Sequence, residues 1–177
     1  STITQQLAKQ LYSSTAGSVT ERLLQKPIEW VIAVQLERNY TKNEIIMLYL
    51  NYFDFLHNAV GIKTASNTYF SKDPKDLTIL ESATLVGLCK NPSYFNPVRY
   101  SERCLERRNV VLHQMLKADY ITQAQYDTLS VKPLGLKFHV ADHKEGIATY
   151  FREYLRLYMT AKEPIRSNYA SWNRVKF

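Results

Sequence analysis

Apolar residues recur at intervals of three and four along most of the chain, and this helical period constrains the fold more than any other feature. Ile3, Leu7 and Leu11 form one such stripe, and Ile28 and Ile32 belong to another. Interruptions are few, because the 177 residues include only 5 Gly and 6 Pro. The pattern predicts an all-α fold built around one compact core.

Capping residues and prolines set the boundaries of the predicted helices. Pro27 suits the first turn of a helix, so the second helix is predicted to begin near Lys26. Threonine precedes Glu or Gln by three residues, the spacing of a capping box, at Thr41 and Glu44, at Thr78 and Glu81, and at Thr122 and Gln125. The predicted helices cover residues 2–12, 26–39, 41–53, 59–70, 78–88, 101–118, 122–129 and 147–161, and residues 134–140 alternate weakly, as extended chain does.

Basic side chains outnumber acidic ones by 23 to 16, which gives a formal net charge of +7. Such a surface suits a phosphorylated substrate, an anionic membrane or nucleic acid. The basic residues are scattered and no nucleic-acid-binding signature accompanies them, so nucleic acid is not expected as a partner. No run of about 18 apolar residues occurs, so no membrane span is predicted within these residues.

Two regions near the start of the chain carry polar residues that could do chemistry. The first predicted helix begins with Ser1 and Thr2 and carries Lys9, and a helix N-terminus with a nearby lysine can bind an anion. An ordinary solvated helix face accounts for the same residues. Glu29 lies in an apolar run near the predicted start of the second helix, where the helix dipole stabilises a carboxylate.

A third region is the proline-containing loop of residues 91–97, together with Lys90 just before it. Lys90 could hold a phosphate as a point charge, and Ser93 lies within the loop. Irregular but constrained loops often carry function, although a tight structural turn has the same composition. The cysteines, Cys89 and Cys104, have no metal-site spacing and are predicted to be buried apolar side chains.

These regions follow the order of motifs in one known family. Residues 1–9, Ser-Thr-Ile-Thr-Gln-Gln-Leu-Ala-Lys, resemble the second motif of the glycosyltransferase 51 family, the transglycosylase domain of class A penicillin-binding proteins. Residues 25–51 resemble the third motif, residues 61–70 the fourth and residues 77–97 the fifth. The resemblance covers residues 1–138, and residues 139–177 look like a connector toward a transpeptidase domain.

The resemblance implies a lysozyme-like, all-α transglycosylase fold and an inverting hexosyl transfer. The growing glycan on polyprenyl pyrophosphate is the donor, lipid II is the acceptor, and a β-1,4 bond forms. The implied partners are lipid II, the lipid-linked glycan, the membrane surface and the cell-wall synthesis machinery. The implied location is the outer, periplasmic face of the bacterial cytoplasmic membrane.

Residue by residue, the resemblance assigns Glu29 as the carboxylate that assists the leaving group. It assigns binding of the donor pyrophosphate and sugar to Ser1, Thr2, Gln6, Lys9, Lys26, Lys90 and Ser93. A divalent cation, Mg or Mn, is a further expectation, with no ligands assigned to it.

The residue pattern leaves two other classes of protein open. A lysozyme-like lytic enzyme would use Glu29 as its acid, but it has no leaving phosphate for Lys9 and Lys90 to bind. A non-catalytic helical scaffold at the membrane would not bind lipid II or a phosphoglycolipid that mimics it. Product analysis separates the first alternative, and ligand binding separates the second.

The sequence departs from the family pattern at several positions. Gln25 replaces a basic residue, Gln10 an Asn, and Leu56 stands where a Gly is expected. The family's first motif, which supplies the general-base Glu, does not occur in these residues.

We therefore predict that the 177-residue chain on its own does not polymerise lipid II, because no group in it takes the acceptor proton. An assay of glycan strand formation with the purified chain checks this. Elongation of lipid II by the chain alone would contradict it.

Overall fold

A computed structural model describes residues 2–12, 19–139 and 149–160. The described residues up to 139 form one compact unit, and residues 149–160 belong to a second. The first unit contains the α-helices α1 (Ile3–Tyr12), α2 (Val19–Asn39), α3 (Lys42–Tyr52), α4 (Ile62–Phe70), α5 (Ile79–Leu88), α6 (Ser101–Lys117) and α7 (Gln123–Ser130), with a 3-10 turn at Pro74–Asp76. The second unit contains α8 (Thr149–Thr160).

The all-α prediction is confirmed for the part of the chain that the structure describes. No β-strand occurs there, and a single antiparallel bridge pairs Asp54 with Val60. Residues 134–139 are extended but form no strand. Instead the Lys137 and His139 amides donate to the carbonyls of Tyr69 and Thr68 at 2.9 and 2.8 Å. These carbonyls end α4 and have no partner within the helix, so the extended segment caps it.

The predicted start of the second helix is wrong. α2 begins at Val19, so Pro27 lies inside the helix rather than in its first turn. Pro27 has no N–H to donate to the carbonyl four residues earlier, which costs up to about 3 kcal/mol. Good helix formers such as Leu23 and Leu24 precede it, and their propensity favours continuing the helix backwards through the proline.

The start of α4 also differs from the prediction, which was Ala59. The helix begins at Ile62 because Val60 pairs with Asp54 and Gly61, with φ of 84°, lies outside the helical region. The turn before it, Leu56, His57 and Asn58, has left-handed backbone angles, with φ of 69°, 53° and 61°. Leu56 is the position where the family pattern has Gly, and its positive φ explains that preference. A branched side chain in this conformation costs roughly 1 to 2 kcal/mol per residue.

The three predicted capping boxes are all confirmed. In each, the threonine hydroxyl accepts from the third helical amide while the Glu or Gln side chain accepts from the threonine amide. The boxes begin α3, α5 and α7, and each satisfies backbone donors that the helix leaves open.

Two apolar clusters form the core. The larger one joins α1, α2, α3, α4 and α5, and the smaller one joins α5, α6 and α7. Buried members of the larger cluster include Leu7, Ala8, Ala33, Leu36, Ile45, Tyr49, Phe53, Phe55, Tyr69, Phe70, Leu85 and Leu88. The smaller cluster contains Ala83, Leu112 and Ile121. Cys104 is buried and Cys89 half-buried, as predicted, and burial raises the pKa of their thiols to about 11 and about 12.

Arg108 is a fully buried cation that ties α6 to the end of α7. It is 0% exposed, and its guanidinium donates to the carbonyls of Pro133 and Ser130, both at 3.1 Å, and to Asn109 Oδ1. Ser130 is the last residue of α7, where the helix dipole is negative and a cation is stabilising. The planar fork of donors meets several acceptors at once, which a lysine cannot do.

We predict that Arg108→Ala lowers the free energy of unfolding by about 3 kcal/mol, because it leaves a cavity and removes the donor to the Pro133 carbonyl, while Asn109 still donates to the Ser130 carbonyl. Arg108→Lys is also destabilising, since one ammonium cannot reach all the acceptors. Lys117→Ala, at an exposed position on the same helix, changes stability by less than about 0.5 kcal/mol. Thermal and denaturant unfolding measure all three, and an Arg108→Ala variant as stable as the parent would contradict the assigned role.

A second prediction concerns acid stability. Burial opposes ionisation of Glu81, but Lys72 at 2.8 Å and the Thr78 amide and hydroxyl outweigh it, so the pKa of Glu81 lies below its usual value of 4.5. A lowered folded-state pKa means that this stabilisation is complete above the unfolded-state pKa and is lost as the pH falls through the folded-state value. Glu81→Gln should therefore reduce stability at neutral pH. Its free energy of unfolding should fall less steeply with pH below 4.5 than that of the parent chain. Equal acid sensitivity of the variant and the parent chain would count against this.

Candidate functional site

Thr2 begins α1 as a capping residue. The Gln5 amide donates to the Thr2 hydroxyl and the Thr2 amide donates to Gln5 Oε1, both at 3.2 Å. This reciprocal pair has the geometry of a capping box and fixes where the helix starts. The Thr2 hydroxyl oxygen already accepts one hydrogen bond, and the hydroxyl proton can be donated to a ligand.

Thr2, Gln6 and Lys9 lie on one face of α1, because they are four and three residues apart. The stripe of Thr4, Leu7 and Ala8 is buried instead. Gln6 is half-buried and Lys9 is exposed. The face combines hydrogen-bonding groups with a lysine whose charge faces solvent.

Ile3 and Thr4 at the start of α1 line a cleft together with Glu37 and Tyr40 at the end of α2. The start of α1 therefore lies next to the end of α2.

Glu29 lies on the core-facing stripe of α2. It is four residues before Ala33 and seven before Leu36, both buried, and is itself only 3% exposed. Its Oε2 accepts from Lys26 Nζ at 2.8 Å, and the Lys26 side chain is 50% exposed. The ion pair balances a carboxylate that would otherwise be costly to bury.

The interpretation of Glu29 as a helix-start carboxylate is wrong. α2 extends to Val19, so Glu29 lies in the middle of the helix, beyond the reach of the dipole at its first turn. At this position the Glu29 carboxylate pairs with the Lys26 ammonium. A buried, paired carboxylate on an apolar stripe is a stronger functional signal than a carboxylate at a helix start.

Tyr49 connects α1 to the end of α5. Its hydroxyl donates to Gln6 Oε1 at 3.1 Å, and its ring is buried against Phe53. Burial, with a smaller contribution from the nearby Cys89 thiol, raises the pKa of Tyr49 to about 12. The hydroxyl therefore stays protonated and remains a donor at any physiological pH. No pattern in the sequence indicated this bond.

The loop after α5 is ordered by side chains of its own. The Asn91 side chain accepts from the Tyr94 amide at 3.1 Å, and the Asn91 carbonyl accepts from Phe95 at 3.0 Å. Asn96 is 4% exposed and its Oδ1 accepts from the amides of Val98 and Arg99 at 2.9 and 3.3 Å. Residues 91–100, called here the Asn96 loop, thus have a fixed backbone despite containing no regular helix.

Lys90 and Ser93 are both exposed, one just before and one within the Asn96 loop. Lys90 Nζ lies 6.0 Å from the centroid of the Phe95 ring, a cation–π distance, and no carboxylate among the described residues pairs with it. Lys90 directly follows Cys89, which packs against the core cluster that contains Tyr49, and Tyr49 bonds Gln6. The predicted residues on α1 and after α5 are therefore both anchored to this part of the core.

The structure thus brings together two groups of predicted residues. Lys26 and Glu29 are bonded directly, and Gln6 is bonded to Tyr49 of the core cluster against which Cys89 packs. Ser1 lies outside the described residues. The sequence did not indicate Tyr49 as a partner of Gln6, nor His57 as a partner of Asn96, because these pairs are 43 and 39 residues apart.

A cleft of about 380 Å³ lies between α1, α2 and α3. It is lined by Ile3, Thr4, Glu37, Tyr40, Lys42, Ile45 and Ile46, and so by none of the predicted site residues. The cleft is therefore distinct from the groups around Glu29 and Tyr49.

The described residues contain no group of three or more His, Cys, Asp or Glu side chains placed to hold a metal, and Glu29 already pairs with an ammonium. Mg²⁺ is usually bound through one or two carboxylates together with substrate phosphates, so the expected divalent cation stays a prediction.

Among the described helices, none has the length and apolar character that crossing a bilayer requires.

The described residues thus combine a buried, paired carboxylate on α2, an exposed lysine on α1 and an ordered loop preceded by a second exposed lysine. The family model described as Transglycosylase matches residues 1–116. This chain belongs to the transglycosylase family.

Relatives and a solved structure agree with that assignment. The chain is 39% identical to penicillin-binding protein 1A of Vibrio cholerae over 97% of its own length, and 41% identical to that of Escherichia coli over 80%. It covers only 20% and 16% of those two proteins. The crystal structure of penicillin-binding protein 1A from Haemophilus influenzae matches 72% of this chain and 19% of that one, with a TM-score of 0.50 and 33% identity. The chain thus spans about one fifth of the length of these relatives.

Proposed function

We propose that this chain forms the donor-binding part of a peptidoglycan glycosyltransferase, which joins lipid II into β-1,4-linked glycan strands and releases polyprenyl pyrophosphate. Glu29 carries the proposal, because it is a buried carboxylate on an apolar stripe and is paired with Lys26. A core helix has no packing reason to bury a carboxylate, so a catalytic one is the better account.

The chemistry assigns each group a task. As the glycosidic bond forms, negative charge builds on the departing pyrophosphate, and fixed cations stabilise that charge. Lys9 and Lys90 can do so directly, since neither pairs with a carboxylate among the described residues. Thr2, Gln6 and Ser93, with Ser1 as a further candidate, donate hydrogen bonds to the phosphates or the donor sugar.

Glu29 and Lys26 act as a pair in this proposal. Lys26 is half-exposed, so its ammonium reaches from the buried carboxylate toward solvent and the departing charge. Glu29 holds Lys26 in place and assists the leaving group through it. The general base is supplied from outside these residues, as the family pattern implies.

The same proposal covers the setting of the reaction. The partners are lipid II, the lipid-linked glycan, the membrane surface and the cell-wall synthesis machinery. The site works at the outer face of the bacterial cytoplasmic membrane. Residues 1–138 form the glycosyltransferase 51 part, and residues 139–177 connect it toward a transpeptidase domain.

We predict that Glu29→Gln lowers glycan polymerisation by about 100-fold or more while preserving the fold. The amide keeps the shape of the carboxylate but cannot hold the Lys26 ammonium by charge. The assay uses a protein in which this chain is joined to the family's first motif, because that motif supplies the base. Strand lengths report turnover, and circular dichroism with thermal unfolding reports the fold.

Glu37→Gln is the matched control, since Glu37 lies two turns further along α2, is exposed, and lines the separate cleft. It should turn over like the parent. Near-normal polymerisation by Glu29→Gln would overturn the role given to Glu29. Shorter rather than longer strands among the products would instead favour a lytic enzyme, and absence of binding to a donor-like phosphoglycolipid would favour a scaffold.

A further inference from the structure

His57 and Asn96 meet at a point that the proposed function does not use. Asn96 Nδ2 lies 3.1 Å from His57 Nε2, across 39 residues of sequence. We propose that His57 is a positioning residue: its neutral imidazole accepts a hydrogen bond from Asn96 and thereby holds the Asn96 loop, with Lys90 and Ser93, in place for the donor pyrophosphate. The functional part of this inference rests on the proposed function.

The orientation of the Asn96 amide is fixed by its other contacts. Its Oδ1 accepts from the backbone amides of Val98 and Arg99, so the oxygen cannot turn toward His57 without leaving both donors unmatched. The NH2 group must therefore be the one that points to the ring. Because Asn96 is buried, that NH2 group has no water to replace a lost partner.

The tautomer of His57 follows from the amide. An NH2 group can only donate, so Nε2 must present a lone pair and the ring proton must be on Nδ1. A protonated ring would place an N–H against an N–H. The contact thus works with one form of the imidazole only.

Aromatic side chains hold the ring at the angle the bond needs. Phe138 meets it edge to face with centroids 5.0 Å apart, and Tyr69 does so at 6.1 Å. Tyr69 is itself fixed by a bond from its hydroxyl to the Phe55 carbonyl at 2.6 Å. The ring is therefore placed by contacts with two elements besides its own turn.

The backbone of His57 is held in an uncommon conformation. Leu56, His57 and Asn58 all have positive φ, and none is a glycine. Asp54 Oδ1 accepts from the Leu56 amide and the Leu56 carbonyl accepts from Ala59, both at 2.8 Å, so local bonds maintain the turn. Strain that the surroundings maintain is found at functional sites more often than elsewhere. Here the strained turn carries the imidazole that reaches the Asn96 loop.

The first test is structural and does not depend on any activity. In mildly alkaline buffer, where imidazoles are neutral, nitrogen chemical shifts of the full chain should show His57 protonated at Nδ1 and unprotonated at Nε2. His57→Phe keeps the ring contacts but removes the acceptor, so it should shift the amide resonances of residues 90–99. A proton on Nε2, or unchanged loop resonances in His57→Phe, would overturn the proposal.

The second test separates positioning from stability. Polyprenyl pyrophosphate in detergent micelles is the probe, and its dissociation constant is measured for the full chain. His57→Phe should weaken binding about tenfold, and His57→Gln, whose side-chain oxygen can accept, should restore most of it. His113→Phe is the matched control, since His113 is exposed on α6 and touches only the Tyr126 ring among the described contacts. It should bind like the parent.

The outcomes distinguish the two proposals. If the parent chain fails to bind the pyrophosphate lipid, the proposed function loses its support, while the resonance data still decide whether His57 positions the loop. If the parent binds and His57→Phe binds equally well, the positioning role is wrong. If His57→Gln fails to rescue binding although its thermal stability equals that of the parent, the acceptor is not what matters and the proposal is likewise wrong.

Discussion

The bond from Tyr49 to Gln6 is the interaction on which the arrangement of the site depends. Tyr49 lies in the last turn of α3, its hydroxyl reaches α1, and it belongs to the core cluster against which Cys89 packs. A buried tyrosine needs a partner for its hydroxyl, so the position of α1 is fixed along its axis as well as by apolar packing. The Gln6 side-chain oxygen accepts from Tyr49, so the Gln6 NH2 group is the part that can donate to a substrate oxygen.

Sequence patterns predicted the local structure well where the responsible contacts are themselves local. Each capping box joins residues three apart, so the starts of α3, α5 and α7 followed directly from the sequence. The start of α2 did not, because a proline usually marks a first turn and here the preceding helix formers outweigh it. The left-handed turn at Leu56 was visible only as a departure from a family pattern, without a conformation attached to it.

The candidate site was predictable as a set of residues and not as a geometry. The motifs identified Glu29, Gln6 and Lys90, but the bonds that orient the site connect side chains about 40 residues apart. Tyr49 and His57 have no local pattern that distinguishes them from other core and loop residues. Only the packing of α3 against α1, and of the turn against the Asn96 loop, creates their roles.

Neutral and charged groups have different roles at this site. The parts that must be rigid are held by neutral hydrogen bonds: Tyr49 to Gln6, Asn91 to Tyr94, and Asn96 to His57. Lys9 and Lys90, by contrast, have no carboxylate partner among the described residues, whereas Lys26 has one and is half-exposed. An ion pair used for rigidity would compete with a phosphate for the same cation, while a neutral bond does not. If the proposed function holds, orienting the loop with amides and a neutral imidazole leaves the charges of Lys9 and Lys90 for the departing pyrophosphate.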